Sequence, residues 1–153
     1  MWPGGLRLAS LTTAFIDANV FIYATSAAPA VANCQEILEL AAASRPHCVT
    51  SAEVLQEVFH VLGRRNEPAR VADALALAVA AAHVYPLEAE DVLLAATLPA
   101  SAALSARDRV HCAVMRRREI ALLISSDSGF DGLPGITRLD PADLPSWRSL
   151  VFA

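Results

Sequence analysis

The chain contains no lysine. All of its 12 basic residues are arginine, set against 16 acidic ones for a net charge of −4. Without lysine there is no Schiff-base chemistry, no lysine general base and no Walker A phosphate loop. The acidic balance argues against long-range capture of nucleic acid, but not against local arginine–phosphate contacts. Charged residues are scarce overall, 18% against a usual share of about 25%. The 55% hydrophobic share excludes intrinsic disorder. Long apolar runs are missing too. Ala74 to Ala82 stops at His83, and Val92 to Leu98 stops at Pro99. Both fall far short of the roughly 20 residues that cross a bilayer, so no membrane contact is expected.

Cysteine is sparse. Cys34, Cys48 and Cys112 are widely spaced and show no CxxC pattern. They are expected to be reduced core thiols of a cytoplasmic protein. His47, His60, His83 and His111 are isolated, with no HExxH spacing, so a zinc site is not expected. GxGxxG and GxSxG are absent as well. No small-residue cleavage site follows Arg7 and its short apolar stretch, so no signal peptide is expected.

What is present is one domain's worth of chain, 153 residues, rich in alanine and hence in helix propensity. Residues 1–12, with Pro3, Gly4 and Gly5, read as a loose lead-in, and 13–153 as a single domain. Short β-prone runs at Thr13–Ile16, His47–Val49, Ala121–Ile124 and Gly135–Leu139 read as strands. Val84–Leu87, with its proline, reads as an edge strand. Between them lie helical patterns: Val20–Thr25, Pro29 to about Arg45, Ser51–Arg65, an alanine-rich stretch to Ala82, Glu88–Leu98 and Ser105–Glu119. The third carries an apolar stripe of Val54, Leu55, Val58, Phe59 and Leu62. Strands alternating with helices predict an α/β fold with a mainly parallel sheet covered on both faces. In such folds the functional crevice lies beyond the carboxyl ends of the strands.

The acids fall at that edge. Asp17 ends the first strand, where it suits a helix N-cap, and Asn19 is placed to bond its carboxylate. Glu53 and Glu57 share a helix face. Thr50-x-x-Glu53 has capping-box spacing, whereas no cap accounts for Glu57 one turn further in. Ser105-x-x-Asp108 is a second capping box, whose acid can also point into the crevice. Asp127 follows a strand in a turn-rich segment, Asp131 reads as an outer supporting group, and Asp140 and Asp143 as turn and cap. Arg116–Arg118 and Arg64–Arg65 end helices, where cations complement the dipole. Converging carboxylates raise one another's pKa, and a hard divalent cation, Mg²⁺ or Mn²⁺, is the usual remedy. Such sites activate water and stabilise phosphoryl transition states.

In this order the motifs resemble the PIN domain, and more narrowly the VapC-type toxins of bacterial toxin–antitoxin pairs. They are Asp17-x-Asn19 on a strand, Ser51-x-x-x-Leu55-x-Glu57 on a helix, Leu104-Ser105-x-x-Asp108-x-x-His111-x-Ala113, and Ser125-x-Asp127-x-x-Phe130-Asp131 before a Gly-Ile strand. The resemblance covers about residues 14–141. It implies a three-layer α/β/α sandwich and a metal-dependent ribonuclease with catalytic Asp17, Glu57, Asp108 and Asp127. Of these Asp17, Asp108 and Asp127 would hold metal, supported by Asn19, Ser125 and Asp131. It also implies an RNA substrate, a homodimer and a VapB-like antitoxin, expected in a groove lined by Val20, Phe21, Ile37 and Leu38. Arg109 departs from the family, standing where a small residue is usual, and raises the question of a phosphate contact. Two rivals share parts of this pattern. A haloacid-dehalogenase-like phosphatase would need a second acid in place of Asn19 and usually a lysine. An inactive binding module on the same fold would lack one of the acids.

Overall fold

The computed structural model describes residues 13–27, 31–43, 48–99 and 103–152. The lead-in 1–12, His47, and the helix boundaries expected at Pro29, Ala30, Arg45 and Pro46 lie outside those residues. Five strands are described: β1 (Ala14–Ile16), β2 (Cys48–Ser51), β3 (His83–Tyr85), β4 (Leu122–Ile124) and β5 (Thr137–Leu139). They form one sheet in the order β3-β2-β1-β4-β5, with every neighbouring pair parallel. The helices are α1 (Ala18–Ala24), α2 (Val31–Ala43), α3 (Ala52–Arg64), α4 (Pro68–Ala81), α5 (Ala89–Thr97), α6 (Ala106–Arg117) and α7 (Leu144–Val151). Helices α1 to α4 pack together and α5 packs against α6, giving the expected three-layer α/β/α sandwich. Among the described residues no helix is long and apolar enough to cross a membrane.

Sequence chemistry accounts for this arrangement. The central strands β1 and β4 are buried at every position, as parallel strands covered on both faces must be. Edge strand β3 is partly exposed and ends at Tyr85, before Pro86, which has no N–H to continue a ladder. Ser51 caps α3 through Val54 N, and Asn66, at φ 55°, turns the chain out of it before Pro68 opens α4.

The structure departs from expectation at four points. The Thr50–Glu53 capping box does not form: the Thr50 hydroxyl instead donates to Ile16 O, 2.9 Å away, and ties β2 to β1. Phe59 is not part of the apolar stripe but is 60% exposed, one position round from buried Val58. Val20, Phe21, Ile37 and Leu38 are core residues, 0–3% exposed, so they line no open groove apart from the edge of Leu38. Helix α7 has no counterpart among the elements expected from the sequence. Asp143, read as a cap, caps it through the Ser146 N–H and hydroxyl. Its Trp147 is fully buried and donates to Pro141 O at 3.1 Å.

One buried acid organises the far side of the sheet. Asp91 in α5 is fully buried, accepts from Glu88 N to close the α5 capping box, and receives Arg117 at 2.8 Å and Arg118 at 3.1 Å from α6. Arg118 also lies over the Tyr85 ring, 4.5 Å from its centroid. Burial alone would raise the Asp91 carboxyl, but the Glu88 amide and the two guanidiniums outweigh it and hold the carboxyl below the usual aspartate range. Two of the three helix-end arginines are therefore structural clamps. Asp91→Ala is expected to cost about 2–4 kcal/mol in chemical denaturation at neutral pH. Because the native carboxyl is depressed, its stabilisation is present above the ordinary aspartate pKa and is lost as pH falls through the native value. The gap between wild type and variant should therefore close in acid.

Candidate active site

Asp17 sits where the carboxyl end of β1 meets the first turn of α1, 5% exposed. Its amide continues the sheet by donating to Ile124 O. One carboxylate oxygen accepts from Ala18 N at 2.8 Å, so Asp17 is the N-cap expected of it. The other accepts from the Ser125 hydroxyl at 2.7 Å and from Asn19 Nδ2 at 3.1 Å. Ser125 Oγ accepts in turn from Asn19 Nδ2 and Asp127 N, so the hydroxyl is used as one donor and two acceptors. Asn19 Oδ1 takes Ser126 N. Asn19 and Ser125 thus fix the Asp17 carboxylate and the backbone leading to Asp127.

Glu57 reaches the same place from α3. Its carboxylate bonds His111 Nε2 at 3.0 Å, and His111 Nε2 lies 3.9 Å from Asp17. Ligand atoms of Asp17, Glu57 and His111 lie within 4.8 Å of one another. His111 is fully buried, its ring tilted against Phe15, and its Nδ1 has no hydrogen-bond partner. Ligand spacing between histidines does not reveal it, since no second histidine stands near it in the sequence. The signal the sequence does carry is its place one turn after Asp108, on the helix face that turns toward the acids.

The remaining predicted residues are placed around this trio. Asp108 forms its capping box, accepting from Ser105 N at 2.9 Å while its own amide donates to Ser105 Oγ. It lies outside the trio, but close enough for its charge to act on His111. Asp127 is exposed, caps a single 3₁₀ turn by accepting from Gly129 N, and reaches Asp17 only through Ser125. Gly129 is required there, because a Cβ would stand 2.5 Å from Ala103 O. Asp131 does not face the trio; it forms a two-pronged pair with Arg138, which also holds Asp140 and Ser125 O. Glu53, the other candidate on α3, pairs instead with Arg107 at 3.1 Å.

The electrostatics are those of an under-neutralised acid pair. Burial raises the Asp17 carboxyl, the Glu57 charge adds to this, and the bonds from Ser125 and Ala18 and the field of His111 only partly offset it. Burial opposes a charge on His111, but the Glu57 hydrogen bond and the fields of Asp17, Glu57 and Asp108 outweigh it and raise its pKa. When protonated, the imidazole is a built-in counter-charge to the two acids.

An all-parallel α/β sandwich with acids gathered at the carboxyl ends of β1 and β4 defines a class of acid-site α/β proteins. The PIN domain family profile matches residues 14–136, and the chain belongs to that family. A VapC ribonuclease of Mycobacterium bovis and Ribonuclease VapC13 of Mycobacterium tuberculosis are each 40% identical to it over 128 residues, 81% of this chain and 97% of theirs. Among solved structures, a toxin–antitoxin complex from Klebsiella pneumoniae aligns with TM-score 0.61 at 20% identity, covering 84% of this chain and 98% of that one. Mycobacterium tuberculosis VapC20, a sarcin–ricin-loop-cleaving toxin, aligns with TM-score 0.60 at 22% identity, covering 78% and 91%.

The role of His111 can be read from stability. His111→Leu keeps much of the volume and removes the counter-charge. A raised histidine pKa stabilises the fold fully below the ordinary histidine value and loses that contribution as pH rises through the native value. Thermal melts of wild type and variant should therefore diverge most in mild acid and converge in alkali. A pH-independent difference would show that the ring acts by packing alone.

Proposed function

We propose that this chain is a divalent-metal-dependent endoribonuclease of the VapC toxin type, acting as one domain over residues 13–153. The observation that carries this reading is the convergence of Asp17 and Glu57 with His111 at the carboxyl edge of the sheet. The names of the 40%-identical relatives support the same activity.

The donor set fits a hard cation. Asp17 is buried, and its carboxyl is raised for want of enough positive charge, a cost that a divalent ion removes. We assign Asp17 as the central ligand, with Asp108 and Asp127 at the rim and Asn19 and Ser125 holding Asp17 in place. Asp131 supports the site only indirectly, by bracing the following loop through Arg138. Mg²⁺ or Mn²⁺ suits oxygen donors. When bound, the ion supplies Lewis-acid polarisation and offsets charge on the scissile phosphate. The chain's own part is positional and protonic. Glu57 is the acid with its side chain partly open, 24% exposed, while His111 holds one of its oxygens. That leaves its other oxygen to accept a proton from an attacking water as general base. His111 keeps the carboxylate turned toward Asp17 rather than solvent.

A haloacid-dehalogenase-like reading is disfavoured, because Asn19 is committed to Asp17, Ser125 and Ser126 and no second acid takes its place. The toxin–antitoxin setting of the solved structural neighbours supports a VapB-like antitoxin as partner, and a homodimer is part of the same proposal. Three buried free thiols, with Cys34 and Cys112 pushed up to about 11 and Cys48 to about 12 by burial, suit a cytoplasmic location.

Asp17→Asn should lower RNA cleavage by a hundredfold or more, since removing a charge clamp costs several kcal/mol of barrier. Mn²⁺ is expected to raise the melting temperature of the wild-type protein, and Asp17→Asn should abolish that rise. Near-wild-type cleavage by the variant would exclude the mechanism, whereas a wild-type protein that cleaves no RNA with either metal would point to an inactive module. The two helix glutamates should separate cleanly. Glu53→Gln removes one partly exposed ion pair, at most about 1 kcal/mol, and keeps activity, whereas Glu57→Gln keeps the fold and loses activity. Both are read by single-turnover cleavage beside a denaturation curve.

A further inference from the structure

Arg109, the residue that departs from the family pattern, follows the acid Asp108 on α6 but faces a different space. Together with Arg116 it lines a cleft of 360 Å³ whose apolar walls include Leu98, Leu104, Leu133 and Ile136. Arg109, Cys112 and Arg116 recur at three- and four-residue spacing, so they share one face of α6, while Asp108 and His111 lie on the neighbouring face. The cleft and the acid site therefore lie on adjoining faces of the same helix. Its far wall, Gly132 to Ile136, follows directly on Asp131 and on the turn that carries Asp127.

The charges in this cleft are uncompensated. Arg117 and Arg118 are committed to Asp91, and Arg107 to Glu53. Neither Arg109 nor Arg116 makes an ion pair among the described residues, and Arg109 Nε is buried without a hydrogen-bond partner. A buried guanidinium donor left unsatisfied is costly, and an anion is the partner that best relieves it. Apolar walls beside two planar cations match a ligand with a flat apolar face and a negative charge. A single compact cleft fits one nucleotide better than a partner helix, which needs anchors spread along a groove.

We infer that the Arg109–Arg116 cleft is a subsite for one unstacked nucleotide of single-stranded RNA, its base against Leu133 and Ile136 and its phosphate on the two guanidiniums. The inference rests on the ribonuclease reading for its ligand class. It gives an acidic protein a local means of holding RNA next to its carboxylates. Arg109 and Arg116 are positioning residues, since they hold substrate beside the site without touching the reacting atoms.

The test is binding of a short, fluorescein-labelled, random-sequence single-stranded RNA in EDTA, followed by anisotropy across a salt series. Arg109→Ala/Arg116→Ala should weaken binding at least tenfold. It should also reduce the slope of log affinity against log salt by about 0.7 for each phosphate no longer neutralised. Leu133→Ser removes part of the apolar wall under the base and should weaken binding about fivefold, with an unchanged salt slope. Arg109→Lys should keep the slope and lose part of the affinity. Mn²⁺ affinity, read by calorimetry, should be unchanged in the double-arginine variant and confirms that the acid site is folded. Wild-type RNA affinity and slope in that variant would overturn the subsite, also if the variant no longer bound an acidic protein partner. Failure of the wild-type protein to cleave RNA with either metal would count against the ribonuclease reading alone, because the anisotropy is read on uncleaved RNA.

Discussion

Asp17 brings a carboxylate into a nearly closed place at the middle of a sheet, and much of the molecule is arranged to hold it there. Its amide extends the β1–β4 ladder, its side chain caps α1, and Ala18, Asn19 and Ser125 donate hydrogen bonds to its oxygens. Those bonds are still not enough to offset burial, so the group remains short of positive charge. His111 supplies part of the deficit from α6, and Glu57 is drawn in as the partner of that histidine. The acid site is therefore a place of electrostatic tension, held by hydrogen bonds local to each strand end and by packing elsewhere.

Asp91 shows the opposite solution with the same residue type. It too is buried, but it receives a backbone amide and two guanidiniums, and its carboxyl is held low. A satisfied buried acid stabilises the α5–α6 pair. An unsatisfied one is a site suited to a cation. The two aspartates differ in the positive charge brought to each, not in burial.

What is legible in the sequence is local. The Ser105–Asp108 box, the Asp17 cap and the Asn19 contact all lie within three residues of their partners, and all form. Strand-by-helix alternation is enough to predict the parallel sheet. Glu57 stands out because no cap explains it. The interactions that escape such reasoning run across the chain. His111 meets Glu57 from 54 residues away. Thr50 reaches the β1 carbonyl rather than a helix amide. Arg138 takes Asp131 out of the site. Phe59 has helical spacing identical to that of a core residue, yet it stays 60% exposed. Periodicity says which residues share a face, but not whether another element lies on it. The short α7 begins with a proline in its first turn and carries one buried tryptophan, too little apolar pattern to stand out from a polar tail.

The sheet order has a consequence in time. Strand β1 is the first of the described strands to be made, yet its partner β4, which brings Ser125 to Asp17, lies 108 residues later. Chains emerge from the ribosome at several residues per second and fold from the N-terminal side as they appear. Throughout that interval the β1 edge that will face β4 has no strand to pair with, and Glu57 has no His111. A nascent chain can build α1 to α4 on β1 and β2 without possessing the assembled carboxylate cluster. The carboxylate cluster comes together only after the segment from Asp108 to Ser125 has been made and has packed beside β1.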